Sequence, residues 1–436
     1  MRKTPSRSRK AIYTIIVTTI VLLIVEVSAQ LTFRALYGHS YRPKKLYQFT
    51  RSSWIPGHDN TRNPSYLRGL VIHPYIGFIN DVPAGVSAGL GFAERISPSE
   101  SRRFQDQLRI LVLGGSVAAQ IMSASQADGT GYLKRALRNE LENKGIELDV
   151  WTFNGAIQGA KQPQQLMIYS FLLAQDAEFD LVVNLDGFNE MTLAFEGKRR
   201  SLHPVYPRSW DLMVGGRLTA GNLRRLAGLL QLREQQESLI EFAQSTPLAR
   251  SALVGLFFTH RLTKNDRRVR ALAEETEHKK IQGELTLEQG GIPFDFEDNE
   301  GTYRYLVRLW SRSSRILSGL AANHDTEYLH VFQPNQYAPG SKQLTPQERE
   351  KYYFPDAGLG LYYGKIYPYF REEIDTLLDS GEWFIDATMI YKDESETVYA
   401  DSCCHFNHRG RERLAAFIAR EIVAGSDTVQ RKAKSR

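Results

Sequence analysis

The spacing of apolar residues changes character several times along the 436-residue chain. Residues 11–25 (AIYTIIVTTIVLLIV) are uncharged and show no polar face, and the apolar character continues past Glu26 through Val27, Leu31 and Phe33. About 20 helical residues cross the hydrocarbon core of a bilayer, so 11–33 reads as a transmembrane signal anchor. The arm before it, residues 1–10, carries Arg2, Lys3, Arg7, Arg9 and Lys10 and no acid. Flanking basic residues stay on the cytoplasmic side, which places the remainder in a periplasmic or other extracytoplasmic space. A cleaved signal peptide is the alternative, because Val27-Ser28-Ala29 resembles a processing site. Glu26 and the continuing LTFRAL segment favour the uncleaved anchor.

Residues 34–107 are rich in Tyr, Pro, Gly and Ser and sustain neither a helical nor a strand period, so they read as a linker and irregular wrap. Regular alternation begins at Leu108–Leu113, a continuous apolar run ending in glycines and suited to a strand buried on both faces. A helical pattern follows at Tyr132, Leu133, Ala136, Leu137 and Leu141. Leu148–Phe153 is a second strand, Gln165–Ala177 a helix and Asp180–Leu185 a third strand. This βαβαβ order predicts a mostly parallel sheet in a three-layer α/β/α sandwich, with ligands at the carboxyl ends of the strands.

Residues 191–302 break the rhythm with helical stretches at 229–242 and 269–277 and an acidic loop at 285–300, and are read as a helical insertion. A helix at 305–320, a strand at 328–332 and helices at 367–378 and 411–423 complete the domain. It therefore comprises 108–190 and 303–424, followed by a basic tail at 425–436.

Composition narrows the function. With 42% hydrophobic and 24% charged residues the chain is globular, and its single long apolar run excludes a polytopic membrane protein. The net charge of +6 is owed to the tails. Five basic residues lie in the arm, and Arg431, Lys432, Lys434 and Arg436 lie at the other end, which leaves the body slightly acidic and unsuited to nucleic acid. Cys403 and Cys404 are adjacent and cannot staple distant segments. The glycines lack the Lys-Ser/Thr of a phosphate loop and the third glycine of a dinucleotide fingerprint, so no cofactor is expected.

Candidate chemistry sits at the strand ends. Ser116, after Gly114-Gly115, is either an exposed nucleophile or a plain helix cap. Gly159, in the NGAIQG segment, offers a backbone N–H to an oxyanion or makes an ordinary turn. Asn189, in Gly187-Phe188-Asn189-Glu190, is a side-chain donor or another cap. Near the C-terminus, Asp401 and His405 bring an acid next to an imidazole, an arrangement that orients a general base. Metal binding by Cys403, Cys404, His405 and His408 is disfavoured, because adjacent cysteines fit one tetrahedral ion poorly and no second ligand motif exists. The Gly-x-Ser-x-Gly elbow of α/β-hydrolases is absent, since position 118 is Ala.

Taken together, Gly114-Gly115-Ser116, Gly159, Gly-Phe-Asn189-Glu190 and His405 with Gly410 resemble the four blocks of the SGNH (GDSL-like) hydrolases. Three departures stand out. Gly115 replaces the usual aspartate, Glu190 replaces another, and the acid lies four residues before the histidine instead of three, which keeps Asp386 as a spare candidate. The resemblance implies a flavodoxin-like fold and a serine esterase or deacetylase. Its catalytic residues would be Ser116, His405 and Asp401, and its oxyanion hole Ser116, Gly159 and Asn189. The expected partners are an acyl-ester substrate, such as an acylated glycan or lipid, and the membrane. An O-acyltransferase acetylating an envelope polysaccharide and an inactive tethered glycan-binding or assembly protein are the alternatives.

Overall fold

A computed structural model describes residues 7–38, 40–42, 70–80, 107–123, 130–196, 203–208, 210, 220–281 and 299–434. The chain divides into two compact units, Met1–Ser65 with Gly215–Thr286, and Tyr66–Val214 with Leu287–Arg436. Most of the acidic loop expected at 285–300, most of the linker at 34–107 and the first residues of the basic arm lie outside the described residues.

The second unit begins with a hairpin, β1 (Leu70–His73) and β2 (Gly77–Asn80), paired antiparallel. The main sheet follows: β3 (Gln107–Gly114), β4 (Asp149–Asn154), β5 (Leu181–Asp186), β6 (Glu327–Phe332) and β7 (Phe384–Asp386). All neighbours run parallel, in the order β4-β3-β5-β6-β7. The expected parallel sheet is therefore present, wound in both directions from β3.

Strand β3 shows why the sheet needs cover on both sides. Ile110 and Val112 enter one core with Leu133, Leu137, Ile366 and Leu414, whereas Leu111 and Leu113 enter another with Ile168, Leu172 and Leu317. Successive side chains point to opposite faces, so a continuous apolar run demands two layers of helix. The first face is covered by helices Ser116–Met122, Tyr132–Asn143, Gly358–Asp379 and His408–Gly425, and the second by Gln164–Leu173 and part of Asn299–Ala322.

Among the described residues, several elements had no counterpart in the sequence reading, helix Asp427–Lys434 within the expected basic tail among them. The β1–β2 hairpin and β7 have four or three residues per strand, too few to display a period of two. Helix Pro346–Tyr352 did carry a signal: Thr345 Oγ1 accepts the Glu348 N–H, and Glu348 Oε2 accepts the Thr345 N–H. Such a reciprocal cap is readable as Thr-x-x-Glu.

In the first unit, helix Arg7–Tyr37 contains a stretch, Ile12–Tyr37, long and apolar enough to cross a membrane. Helices Ala220–Ser245 and Ala252–Ile281 contain the two helical stretches expected in the insertion and extend beyond both. They are joined through a short 3-10 turn, Pro247–Arg250, capped by Thr246 Oγ1 accepting from Leu248 N at 3.3 Å.

Candidate active site

The end of β3 is shaped by two glycines. Gly114 has φ +138°, and a Cβ built on it would lie 2.1 Å from the Leu185 carbonyl oxygen, so only glycine passes between β5 and the following helix. A Cβ on Gly115 would lie 2.3 Å from Asn189 Nδ2. Glycine at 115 thus lets the Asn189 carboxamide approach the start of the Ser116 helix. Ser116 is the first residue of that helix and is partly exposed.

The imidazole arrives from 289 residues away. His405 Nε2 lies 2.7 Å from Ser116 Oγ, and His405 Nδ1 lies 2.5 Å from Asp401 Oδ2. The four-residue spacing is explained by the other carboxylate oxygen. Asp401 Oδ1 accepts backbone N–H groups from Cys403 at 2.9 Å, Cys404 at 3.2 Å and His405 at 3.3 Å. The chain coils around the carboxylate and returns the histidine ring to it. Asp386, the spare acid, is engaged elsewhere: it accepts from Arg371 and from the Thr388 N–H at 2.9 Å.

These contacts also set the ionisation. Burial opposes charge on Asp401, but His405 and the backbone donors outweigh it and hold the carboxyl below its usual range. Burial likewise works against a charged His405, yet the Asp401 carboxylate dominates and the imidazole is pushed up to about 9. The pair therefore favours an ion pair once a proton reaches the ring.

Several supporting residues were not foreseen. Gln120, one turn after Ser116, accepts the Phe406 N–H at 3.1 Å and ties the nucleophile's helix to the histidine loop. The segment after β6 holds that loop from the other side. Gln336 Nε2 donates to the Asp401 carbonyl at 3.0 Å, Tyr337 Oη to the Ser402 carbonyl at 2.6 Å, and Asn335 Nδ2 to the Cys403 carbonyl at 3.2 Å. Asn, Gln and Tyr in a loop give no periodic signal, which is why sequence reasoning passed over them.

Gly159 adopts φ +77°, and a Cβ there would meet Arg208 Cδ at 3.1 Å. The segment carrying Arg208 is clamped by buried Lys161, whose ammonium donates to the carbonyls of Pro204 and Tyr206. Asn189 Nδ2 donates to the Ala160 carbonyl at 2.7 Å, joining the second and third strand ends. Glu190 reinforces that junction. Its Oε1 accepts from Gln162 N at 2.9 Å and its Oε2 from Gly187 N at 2.9 Å, while burial and the nearby Asp186 push its carboxyl upward.

A second serine–histidine–aspartate chain lies in the core. Ser314 Oγ is 2.8 Å from His330 Nδ1, and His330 Nε2 is 2.8 Å from Asp186 Oδ1, which also accepts from Trp310 Nε1 at 2.7 Å. Ser314 and His330 are 0% and 2% exposed, so no substrate reaches them and the chain serves to satisfy buried polar groups.

Of the residues weighed as metal ligands, Cys403, Cys404 and His405 present ligand atoms within 4.8 Å of one another. Both ring nitrogens of His405 already face Asp401 and Ser116, and the His408 Nδ1 lies 2.9 Å from the Tyr132 hydroxyl.

No family model and no curated protein matches the sequence. Among solved structures the chain is similar to a lipase/acylhydrolase from Enterococcus faecalis, with 11% identity, TM-score 0.32, and coverage of 73% of this chain and 96% of that one. It is also similar to Axe2, an acetylxylan esterase from Geobacillus stearothermophilus, with 13% identity, TM-score 0.30 and the same coverages. A third is LAE5, an alpha/beta hydrolase enzyme from the metagenome of Lake Arreo, Spain, at 10% identity and TM-score 0.33, covering 73% of this chain. Similarity of this degree assigns no activity; what the chain itself provides is a serine just past β3 that the loop before helix His408–Gly425 joins to a histidine and an aspartate in one hydrogen-bonded line.

Proposed function

We propose that the protein is a serine ester hydrolase of the esterase or deacetylase type, held at a membrane by its N-terminal helix and acting on acyl esters outside the cytoplasm. The observation that carries the reading is the continuous line from Ser116 Oγ through His405 to Asp401, with links of 2.7 and 2.5 Å. A partly exposed serine in that line has both the base and the access that a nucleophile needs.

In the proposed cycle His405 Nε2 takes the Ser116 proton as Oγ forms a bond to the ester carbonyl carbon. The developing oxyanion meets the N–H groups of Ser116 and Gly159 and the Asn189 side chain. A carboxamide has two N–H donors, and the contact with Ala160 employs one. The protonated His405, stabilised by Asp401, then gives its proton to the departing alcohol oxygen as the carbon–oxygen bond breaks. Water repeats the sequence on the acyl-serine and restores the enzyme. The likeness of the four short segments, three at strand ends and one before the helix His408–Gly425, to SGNH hydrolases supports esters as the bond class. Membrane attachment is supported by the apolar helix, whose most apolar 18-residue window within Ile12–Tyr37 has mean hydropathy 2.3, and its side by the basic arm.

The test uses the full-length protein in detergent with a short acyl ester and a fluorophosphonate probe. Hydrolysis together with labelling of Ser116, located by peptide mass spectrometry, is expected. An unlabelled Ser116 in protein that still cleaves the ester would overturn the assignment.

A further inference from the structure

Glu26 sits inside an apolar helix, which makes it electrostatically expensive. At 1.5 Å per residue it lies about 21 Å along the axis from Ile12, or roughly 9 Å inside the far boundary of a 30 Å hydrocarbon core. A carboxylate at that depth requires partners. The insertion provides them: the Ala252 N–H donates to Oε1 at 2.5 Å and the Ser251 hydroxyl to Oε2 at 2.7 Å. Ala252 opens the 30-residue helix Ala252–Ile281, so the carboxylate also meets the positive end of a helix dipole.

Other contacts hold the insertion at the same depth. Tyr41 Oη donates to the Ala249 carbonyl at 2.6 Å, and the Tyr41 N–H donates to Gln30 Oε1 at 3.1 Å. Gly255 admits the Tyr41 ring, which a Cβ would approach to 2.3 Å. Ala29, Phe33, Tyr41 and Ala252 form a small core against which Tyr37 and Leu256 pack.

The outer surface of this junction is apolar. Phe242, Leu248, Leu253 and Phe257 are between 50% and 63% exposed, beside a helix whose own apolar residues, such as Val27 and Leu31, are equally open. Glu241 and Arg250, next to these residues in sequence, are exposed as well, and their side chains are long enough to reach toward water. About 12 Å along helix Ala252–Ile281 from Leu253, a basic group begins with exposed Arg261, Lys264, Arg267 and Arg268, faced by the exposed acid Glu234.

We propose that the tip of this helical hairpin enters the bilayer leaflet opposite the basic arm, inserting Leu248, Leu253, Phe257 and Phe242 among the acyl chains and placing the basic group at anionic headgroups. The inference rests on the reading of the N-terminal helix as an uncleaved anchor. Lipid is the occupant because the apolar surface is continuous with the span, and because the Glu26 pairing sets the tip at the 5–10 Å depth of interfacial elements. The same pairing accounts for an acid in the span and for the location of the insertion's turn.

The experiment places a small fluorophore on full-length protein through single cysteines at Ile20, Leu248 or Phe257, in a Cys403→Ser/Cys404→Ala background. The protein is reconstituted in phosphatidylcholine–phosphatidylglycerol vesicles with or without brominated acyl chains. Severalfold quenching by brominated lipid at all three positions, with little quenching by aqueous iodide, is expected. Quenching by lipid at Ile20 together with iodide access at 248 and 257 overturns the docking and leaves the anchor intact. Iodide access at Ile20 overturns the anchor and, with it, the docking.

Discussion

His405 Nε2 stands 2.7 Å from Ser116 Oγ across 289 residues of sequence. The contact is set by two packed elements. Helices Tyr132–Asn143 and His408–Gly425 meet through Leu137, Leu141, Leu414 and Ile418 in one core and through the Arg135–Glu412 ion pair at 2.8 Å. The loop before the second helix is thereby delivered to the end of β3.

Removing the nucleophile should abolish turnover without loosening the fold. Ser116 is partly exposed, so Ser116→Ala creates no buried cavity. Its kcat is expected to fall by about 10^6-fold, with a melting temperature within about 2 °C of the parent. Steady-state kinetics and thermal melts check both.

The two candidate acids should separate cleanly. Asp401→Asn loses the group that orients the imidazole, and a loss of about 10^4-fold in kcat is expected. Asp386→Asn disturbs the Arg371 contact and the Thr388 turn instead. It should cost about 1–3 kcal/mol in stability while leaving kcat nearly unchanged. Equal kinetic damage from both variants would reopen the choice of acid.

The pH profile carries the signature of the His405–Asp401 pair. General-base catalysis needs the neutral ring, so kcat/KM should rise with pH. The midpoint should lie above the ordinary imidazole value of 6.5 and, because the ring keeps 28% exposure and is screened, below about 9. In Asp401→Asn, where burial acts without the opposing carboxylate, the midpoint should move down to 6.5 or below. The stability linkage has the matching sign. The raised imidazole contributes fully below 6.5 and loses its contribution as pH climbs through about 9, whereas the lowered Asp401 carboxyl contributes above 3.8 and loses it as pH falls.

Asn189→Ala tests the oxyanion assignment. Loss of one donor should lower kcat by about 10^2- to 10^3-fold with little change in KM, since the interaction strengthens only as charge develops on the carbonyl oxygen. A change confined to KM would place Asn189 in ground-state binding instead.

Gly114→Ala should damage the fold itself. The new methyl would face the Leu185 carbonyl at 2.1 Å and Ala118 Cβ at 2.8 Å, with φ at +138°. Backbone strain and overpacking together predict a loss of about 3–5 kcal/mol, measurable by urea denaturation.

The parallel sheet was legible in the amino-acid order because continuous apolar runs such as Leu108–Leu113 have few other uses than a strand covered on both faces. The same logic marks Ile12–Tyr37 as a helix long and apolar enough to cross a membrane. Short elements were less visible: β7 has three residues, which cannot show a period.

What local patterns could not distinguish was which serine, histidine and aspartate belong together. Ser314, His330 and Asp186 make the same sequence of contacts as Ser116, His405 and Asp401, yet the former line is sealed in the core and the latter opens to solvent. Exposure is a property of packed layers and has no local code. Likewise, the spacing of Asp401 from His405 looked irregular until three backbone N–H groups were seen to wrap one carboxylate oxygen. Composition and periodicity dictated the layers, because burial of apolar surface is additive along the chain. The pairing of polar groups was settled only in the folded molecule, because a hydrogen bond depends on the positions of two segments at once.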